Sequence, residues 1–312
     1  MLQYIIILLD DTSTTFCHYE NHKTARQLIS TDTLRKAIRY AMTENLMIQF
    51  VYPDYELPKE IKDEVETIDH TKIKPFSDGM KEADVEVVNS WNFNELPTDI
   101  PVVLRTLKTD LFKNYQKLER ILENANRLNI VITDLESFTE EDFSSYKSLL
   151  SYLSKKVERF YLEGKAPQLN ILTDRMMLKQ MNNCGAGNTS ITLAPNGKFY
   201  VCPAFYLENE NDSIGDLENG LNCKNSQLYK LECAPICRHC DAWQCKRCIW
   251  LNRKTTLEVN TPSHEQCVIA HLERNASRLL LNSIRQYGTF LPEFEDIESI
   301  DYLDPFVNRD EW

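Results

Sequence analysis

Apolar residues follow two alternating patterns along the first 180 positions of the chain. Continuous apolar runs, as at positions 4–9, are typical of strands that are covered on both faces. Between these runs, apolar residues recur every three or four positions behind cap signals such as Ser30, which indicates helices. Strands are predicted at 4–9, 46–52, 85–88, 102–106, 129–133 and 169–173, and helices at 34–41, 58–68 and 111–125.

The clearest helix is predicted to begin after Thr139. Asp142 lies three residues later, which is the spacing of a capping box. Apolar residues then alternate by three and four positions at Phe143, Tyr146, Leu150, Leu153, Val157 and Phe160. Gly164 lies where a residue in the left-handed backbone conformation would end the helix, and Pro167 prevents the helix from continuing.

Strand and helix alternate about five or six times, which predicts an α/β fold with a parallel sheet and helices outside it. Both an open doubly wound sheet and a full or partial (β/α) barrel fit this order. No Gly-x-Gly-x-x-Gly or P-loop pattern follows a strand, which lowers the expectation of a nucleotide ligand. Polar residues at the predicted strand ends, namely Asp10, Asp11, Thr133, Asp134, Thr173 and Asp174, are interpreted first as helix caps.

The net charge of the chain reduces the number of functional classes that fit it. The 312 residues carry a formal net charge of −12, so a nucleic-acid backbone or an anionic membrane surface is not the expected partner. The apolar run near the N-terminus has no basic residue before it, and it is too short to span a bilayer. We therefore expect a buried strand there, in a cytoplasmic protein.

Cysteines are concentrated in the last part of the chain. Nine of the ten cysteines lie between Cys184 and Cys267, in a segment that also holds five of the eight glycines. In a reducing compartment, clustered thiols more often bind metal than form disulfides. Buried cysteines acting as small apolar residues explain one or two of them but not the whole set.

Two kinds of metal site compete for these thiols. Structural zinc prefers two close pairs of ligands separated by a dozen or more residues, whereas the Cys237/Cys240 and Cys245/Cys248 pairs have only four residues between them. Iron–sulfur clusters are larger, and they accept tight spacing with a last thiolate that arrives from a distance, as Cys267 does here. The spacing therefore favours iron–sulfur clusters over zinc.

The order of these cysteines resembles the seven-cysteine SPASM domain that follows the barrel in radical S-adenosylmethionine peptide-modifying enzymes. The resemblance implies two auxiliary [4Fe–4S] clusters. It assigns Cys237, Cys240, Cys245 and Cys267 to one cluster and Cys184, Cys202 and Cys248 to the other. The family has five and then three residues where this chain has four after Cys240 and two after Cys245, so Cys233 is an alternative ligand.

The same family carries a Cys-x3-Cys-x2-Cys motif after its first strand, and that motif holds the cluster that cleaves S-adenosylmethionine. The corresponding stretch here, LLDDTSTTFCHYEN, contains Cys17 alone. Because one thiolate cannot anchor a cluster, neither that cluster nor bound S-adenosylmethionine is expected. Cys17 stands beside His18, and it is a candidate nucleophile or metal ligand by itself.

The N-terminal stretch joined to the SPASM-like region resembles most closely the CXXX repeat peptide maturases. This implies a partial (β/α)6-type radical-SAM-like barrel at 1–180 and a small Cys-rich SPASM-like domain at 181–275. A C-terminal helix and an acidic tail follow at 276–312. The tail is expected to lie on the surface or to be disordered, with Phe294, Tyr302, Phe306 and Trp312 able to dock on a partner.

The first functional hypothesis is maturation of a ribosomally synthesised peptide with repeated cysteines. The protein would bind the peptide or pass electrons to a catalytic partner enzyme, with one or two [4Fe–4S] clusters as cofactors. The alternative hypothesis is a zinc-stabilised interaction module with no redox role. His239 and His264, each near a cluster cysteine, could contact the metal, although surface roles fit them as well.

Overall fold

The computed structural model describes residues 2–77, 82–93, 96–97 and 99–306. The strands are β1 (Tyr4–Leu8), β2 (Met47–Val51), β3 (Thr71–Pro75), β4 (Val85–Val88), β5 (Val102–Thr106), β6 (Arg127–Ile132), β7 (Gln168–Leu169), β8 (Ser190–Leu193), β9 (Phe199–Tyr200), β10 (Gly215–Asp216) and β11 (Gly220–Leu221). The α-helices are α1 (Thr31–Thr43), α2 (Lys59–Val65), α3 (Lys108–Asn114), α4 (Lys117–Asn124), α5 (Glu140–Leu162), α6 (Asp174–Met177), α7 (Pro203–Glu208), α8 (Ile249–Thr256) and α9 (His264–Arg285). Within the described ranges, no helix has the length and apolarity needed to cross a membrane.

The chain folds into two compact units, each built from two stretches of sequence. The first unit comprises Met1–Val87 and Cys184–Ala234, and the second comprises Val88–Asn183 and Pro235–Trp312. Each unit therefore holds both an early stretch and a part of the cysteine-rich region. The three-domain division that the family resemblance implies stays a prediction.

The first unit contains a mainly parallel sheet in the order β4-β3-β2-β1-β8-β9. Only β9 runs antiparallel there, as the second strand of a hairpin with β8. Ile5 and Ile7 on one face of the central strand β1 are fully buried, and Ile6 and Leu8 on the other face are buried as well, which confirms the strand with two covered faces. The hairpin turn places Gly197 at a φ of +76°, as the Asn-Gly signal predicts.

The second unit contains three parallel strands in the order β7-β6-β5. Helix α5 begins with the predicted capping box, in which the Thr139 hydroxyl accepts from the Asp142 N–H and the Asp142 side chain accepts from the Thr139 N–H. Gly164 then takes a φ of +80°, as a left-handed C-cap requires. Parallel strands in both units confirm the α/β class.

Some local predictions differ from the structure. The helix predicted at 111–125 is two helices, α3 and α4, which are separated at Tyr115 and Gln116. The strand predicted at 169–173 is only the two residues of β7, because the Thr173 N–H and hydroxyl both turn back to the Leu169 carbonyl. Asp10 holds Thr12 in a turn rather than capping a helix, and Asp174 pairs with Arg127.

The acidic tail is ordered on helix α9 as far as residue 306, and residues 307–312, with Trp312, lie outside the described ranges. Arg285 donates to the carbonyls of Phe290, Leu291 and Phe294 and forms an ion pair with Asp296. Ile297 is buried. The described part of the tail is therefore a packed segment of the second unit, which agrees with the first of the two expectations, a tail on the surface, and not with disorder.

One ion pair in the second unit holds α9 against the loop before α8. Arg274 of α9 is fully buried, and its Nε lies 3.0 Å from each carboxylate oxygen of Asp241. Arg175 donates to the Asp241 carbonyl and stacks 3.9 Å above the Trp243 ring. The buried guanidinium of Arg274 thus depends on the Asp241 carboxylate for its counter-charge.

Asp241→Asn is expected to lower the free energy of unfolding by about 3 kcal/mol, because it leaves the Arg274 charge buried without its partner. The measurement is urea unfolding of the metal-free chain. Asp32→Asn is the matched control, since the Asp32–Lys36 pair is exposed to solvent and contributes little to stability. Equal losses in the two variants would contradict this assignment.

Glu273 makes the free energy of unfolding of the second unit depend on pH. Burial raises the pKa of its carboxyl to about 7, and the side chain accepts from the Tyr146 hydroxyl at 2.7 Å. Since the folded pKa lies above the unfolded value of about 4.3, Glu273 costs stability as the pH rises from about 4.3 to about 7. Glu273→Gln is expected to flatten the unfolding free energy over that window, whereas exposed Glu140→Gln is not. Identical pH profiles for both variants would contradict this.

Candidate metal-binding cysteines

Four cysteines of the second unit line one cavity of about 30 Å³: Cys237, Cys240, Cys245 and Cys267. They come from three segments of the chain. Cys237 lies in a 3-10 turn, Cys240 and Cys245 lie in the loop that follows it, and Cys267 lies in the first turns of α9. The structure therefore brings together the four thiols that the resemblance assigns to one cluster.

Tight turns place the thiols of the loop. The Cys240 N–H donates to the Cys237 carbonyl, and the Cys245 N–H donates to the Ala242 carbonyl. Helix α9 starts at a capping serine, Ser263, whose hydroxyl accepts from the Gln266 N–H. The short Cys-x2-Cys spacing therefore forms a turn, and the cap sets where Cys267 enters the cavity.

Burial makes these thiols poor acids. It raises the pKa of Cys237 to about 11 and that of Cys245 to about 12, and it raises the pKa of Cys240 and Cys267 as well. Repulsion between neighbouring thiolates adds to the effect, most clearly at Cys267, where three other cysteines contribute. The four groups are therefore neutral thiols at pH 7 unless a cation offsets their charge.

His271 also lines this cavity, and sequence reasoning missed it. Its Nε2 lies 3.4 Å from the Cys240 Sγ, while its Nδ1 bonds the Leu303 carbonyl in the tail. Because a carbonyl only accepts, Nδ1 carries the proton, and in the neutral ring Nε2 directs a lone pair toward Cys240. The missed signal is the four-residue step from Cys267, which puts both side chains on one face of α9.

The residues present fit a metal centre. The Gln266 Nε2 is buried beside the cavity and has no hydrogen-bond partner among the described residues, so it is a donor that could reach a thiolate or sulfide. The Ala242 N–H already points at the Cys240 Sγ, 3.4 Å away. Soft thiolates are the ligands that zinc and iron–sulfur clusters share. Among the described residues, no three His, Cys, Asp or Glu side chains are already arranged around a single metal ion.

The other predicted ligands lie in different places. Cys184 and Cys202 belong to the first unit, as do half-buried Cys223 and exposed Cys233, whereas Cys248 is the N-cap residue of α8 in the second unit. His239 is exposed, and His264 pairs with Asp304. Neither histidine lines the cavity of the four thiols.

Cys17 lies in the first unit, and its thiol acts electrostatically on Cys202 and Tyr4. Burial raises the pKa of Cys202, and the thiols of Cys184 and Cys17 raise it further. The same two thiols also raise the pKa of the Tyr4 hydroxyl, after the larger effect of burial. The position of Cys17 in the sequence did not indicate this effect on Cys202.

The end of β1 is occupied by a second polar network in the first unit. Asp11 accepts from the Tyr206 hydroxyl at 2.5 Å and from the Lys23 Nζ at 3.1 Å. Asp10 accepts from the N–H and hydroxyl of Thr12. These contacts give both buried carboxylates structural partners at the point where the radical enzymes carry their cysteine motif.

The fold is similar to that of solved radical SAM enzymes. Native anSMEcpe, an anaerobic sulfatase-maturating radical SAM enzyme with a SPASM domain, has been solved with bound AdoMet and Cp18Cys peptide, and it matches with a TM-score of 0.60 and 9% identity over 91% of this chain and 99% of that chain. The structure with AdoMet alone has a TM-score of 0.60 and 11% identity over 91% and 100% of the two chains. The structure with Kp18Cys peptide has a TM-score of 0.56 and 10% identity over 90% and 99%. No family model and no curated protein matches the sequence. At these identities the likeness establishes a shared fold.

Proposed function

We propose that this protein takes part in the maturation of a ribosomally synthesised peptide and holds metal through its clustered cysteines. The observation that carries the proposal is the set of four buried or half-buried cysteines on one cavity, in a chain with the fold of radical SAM/SPASM enzymes. Two of the similar structures contain bound peptides, which supports a peptide as the class of partner.

Cys237, Cys240, Cys245 and Cys267 would hold a [4Fe–4S] cluster in the second unit. Such a cluster supplies reversible one-electron transfer when bound. The chain's own part is to bring the four thiols together, to exclude water and to place donors near the sulfur atoms. The Ala242 N–H and the Gln266 amide are those donors, and hydrogen bonds of this kind stabilise sulfur-bound negative charge.

The role we infer is peptide binding or electron transfer together with a catalytic partner enzyme. The segment after β1 offers Cys17 as its single thiol, and Asp10 and Asp11 there are held by other side chains. AdoMet binding of the kind seen in the similar structures is therefore not expected in this chain. The peptide class that the family resemblance implies is one with cysteine at every fourth position.

A zinc-stabilised interaction module is the second candidate, and His271 favours it. Cys237-x2-Cys240 and Cys267-x3-His271 are two close pairs, separated by 26 residues and facing one cavity. That arrangement has the spacing of a tetrahedral zinc site with three cysteines and one histidine. In this case Cys245 would not be a ligand. The two candidate sites therefore differ in their fourth ligand, which is Cys245 for the cluster and His271 for zinc.

Serine substitutions of the four cavity cysteines test the cluster. Cys245→Ser is expected to abolish the iron and acid-labile sulfide bound in the second unit, because the cluster loses one of four thiolates. His271→Ala is expected to leave the iron in place. The measurement is metal and sulfide analysis of chains purified without oxygen.

Cys223→Ser, also half-buried but away from this cavity, is the control and should keep full iron content. If zinc stays bound in the Cys245→Ser variant and is lost in the His271→Ala variant, the zinc site is correct and the cluster is not. A wild-type chain without iron would reject the redox role.

A peptide with cysteine at every fourth position is expected to bind the full-length chain. The same peptide with serine in those positions should bind at least tenfold more weakly if the thiols are recognised. The measurement is isothermal calorimetry under anaerobic, reducing conditions. Equal affinity for both peptides would contradict recognition of the cysteines. Binding of AdoMet to the chain in the same calorimeter would contradict the expectation that this chain does not bind AdoMet.

A further inference from the structure

The last described residues of the chain form part of the wall of the cysteine cavity. Pro305 lines the cavity together with the four thiols. The Leu303 carbonyl accepts a hydrogen bond from the Nδ1 of His271, the histidine that faces Cys240 inside that cavity. The Tyr302 ring packs edge-on against the His271 ring, with 6.0 Å between the ring centroids. Three residues of one short segment therefore contact the cavity or the histidine in it.

Polar contacts hold this segment on α9. The Glu298 carbonyl accepts from the Nη1 of Arg274. The carboxylate of Asp304 is fully buried and pairs with the Nδ1 of His264, at the first residue of α9. The same carboxylate accepts from the Phe306 N–H at 2.9 Å. The segment is therefore attached to both the start and the middle of the helix that carries the last thiol.

Residues 297–306, which we call the cover segment, have fewer anchors than the rest of the wall. They contain no helix or strand, and only Ile297 and Asp304 among them are buried. The opposite wall belongs to α9, which packs along α5, and to the cysteine loop, which the buried Arg274–Asp241 pair holds. A segment with few buried groups and no backbone ladder opens at a lower free-energy cost than such elements.

The cavity is small for the centre that it would hold. Its volume of about 30 Å³ has room for about two water molecules. An iron–sulfur cluster takes up more space than that, so part of the wall has to move when a cluster is inserted. Because the cover segment has the fewest anchors, its release is the opening of lowest cost.

We propose that the cover segment is released from α9 to admit the metal centre and docks again to cover it. The inference rests on the proposed function, because it supplies an entry route to the metal site described there. In the docked state Pro305 lies at the thiols and the Leu303 carbonyl orients the His271 ring. Release exposes the thiols and frees the ring together, so access to the site and the orientation of its histidine change in one step.

Alkylation of the metal-free, reduced full-length chain by iodoacetamide tests the cover, with mass spectrometry giving the initial rate at each cysteine. Asp304→Ala removes the carboxylate that holds the segment, and it is expected to raise the rates of the four cavity cysteines at least about threefold. Cys223 and Cys233 of the first unit are internal references, and their rates should not change. Glu298→Ala is the matched control, because it shortens an exposed acidic side chain in the same segment.

The urea dependence of alkylation in the unmodified chain separates release from global unfolding. Release of a short segment exposes little surface, so the rates at the cavity cysteines should rise with a slope well below the m value of unfolding. A slope equal to that m value would mean that the thiols react only after the whole unit unfolds, and it would overturn the proposal.

The outcomes distinguish this inference from the proposed function. In the metal-loaded chain, Asp304→Ala should also lose its metal to a chelator faster than Glu298→Ala does. If metal binds and the two variants react and release metal at equal rates, the cover is wrong and the proposed function stands. A wild-type chain that binds no metal would overturn both.

Discussion

The cysteine cavity of the second unit depends on the ion pair between Arg274 and Asp241. Arg274 lies two turns along α9 from Cys267, and Asp241 is the direct neighbour of Cys240. The pair therefore ties the helix that carries the last thiol to the loop that carries the other three. Since a fully buried guanidinium is costly without a partner, this contact fixes where α9 meets the loop.

That arrangement places four thiols where none of them ionises readily. Burial raises the pKa of each cavity cysteine, and the thiolates repel one another. As packing alone, the four cysteines offer no advantage over alanine or valine. A metal reverses the balance, because its positive charge stabilises the thiolates and their protons are released when it binds. The burial that disfavours free thiolates also keeps solvent from the bound centre.

Much of the fold was predictable from local patterns. The apolar run at β1, the capping box at Thr139 and the Asn-Gly turn at Gly197 each depend on a few neighbouring residues, and the structure confirms all three. The Cys-x2-Cys spacing and the distant Cys267 likewise indicated a shared site, and four of the predicted ligands do line one cavity. Iron binding by these four thiols is a proposal.

The rest depended on contacts that sequence spacing does not encode. His271 acquires its orientation from the Leu303 carbonyl in the tail, and the tail's packing on α9 arises from scattered arginines meeting backbone carbonyls. Strand β8 pairs with β1 although the two strands lie far apart in the sequence. Pairings between strands far apart in sequence leave no mark on a local pattern.

X-ray absorption at the iron edge of the anaerobically purified full-length chain tests the central claim most directly. The account predicts an iron environment made of sulfur, with a second iron at the short distance that is characteristic of a cluster. A sample that shows zinc in a sulfur and nitrogen environment, or no bound metal, would contradict it.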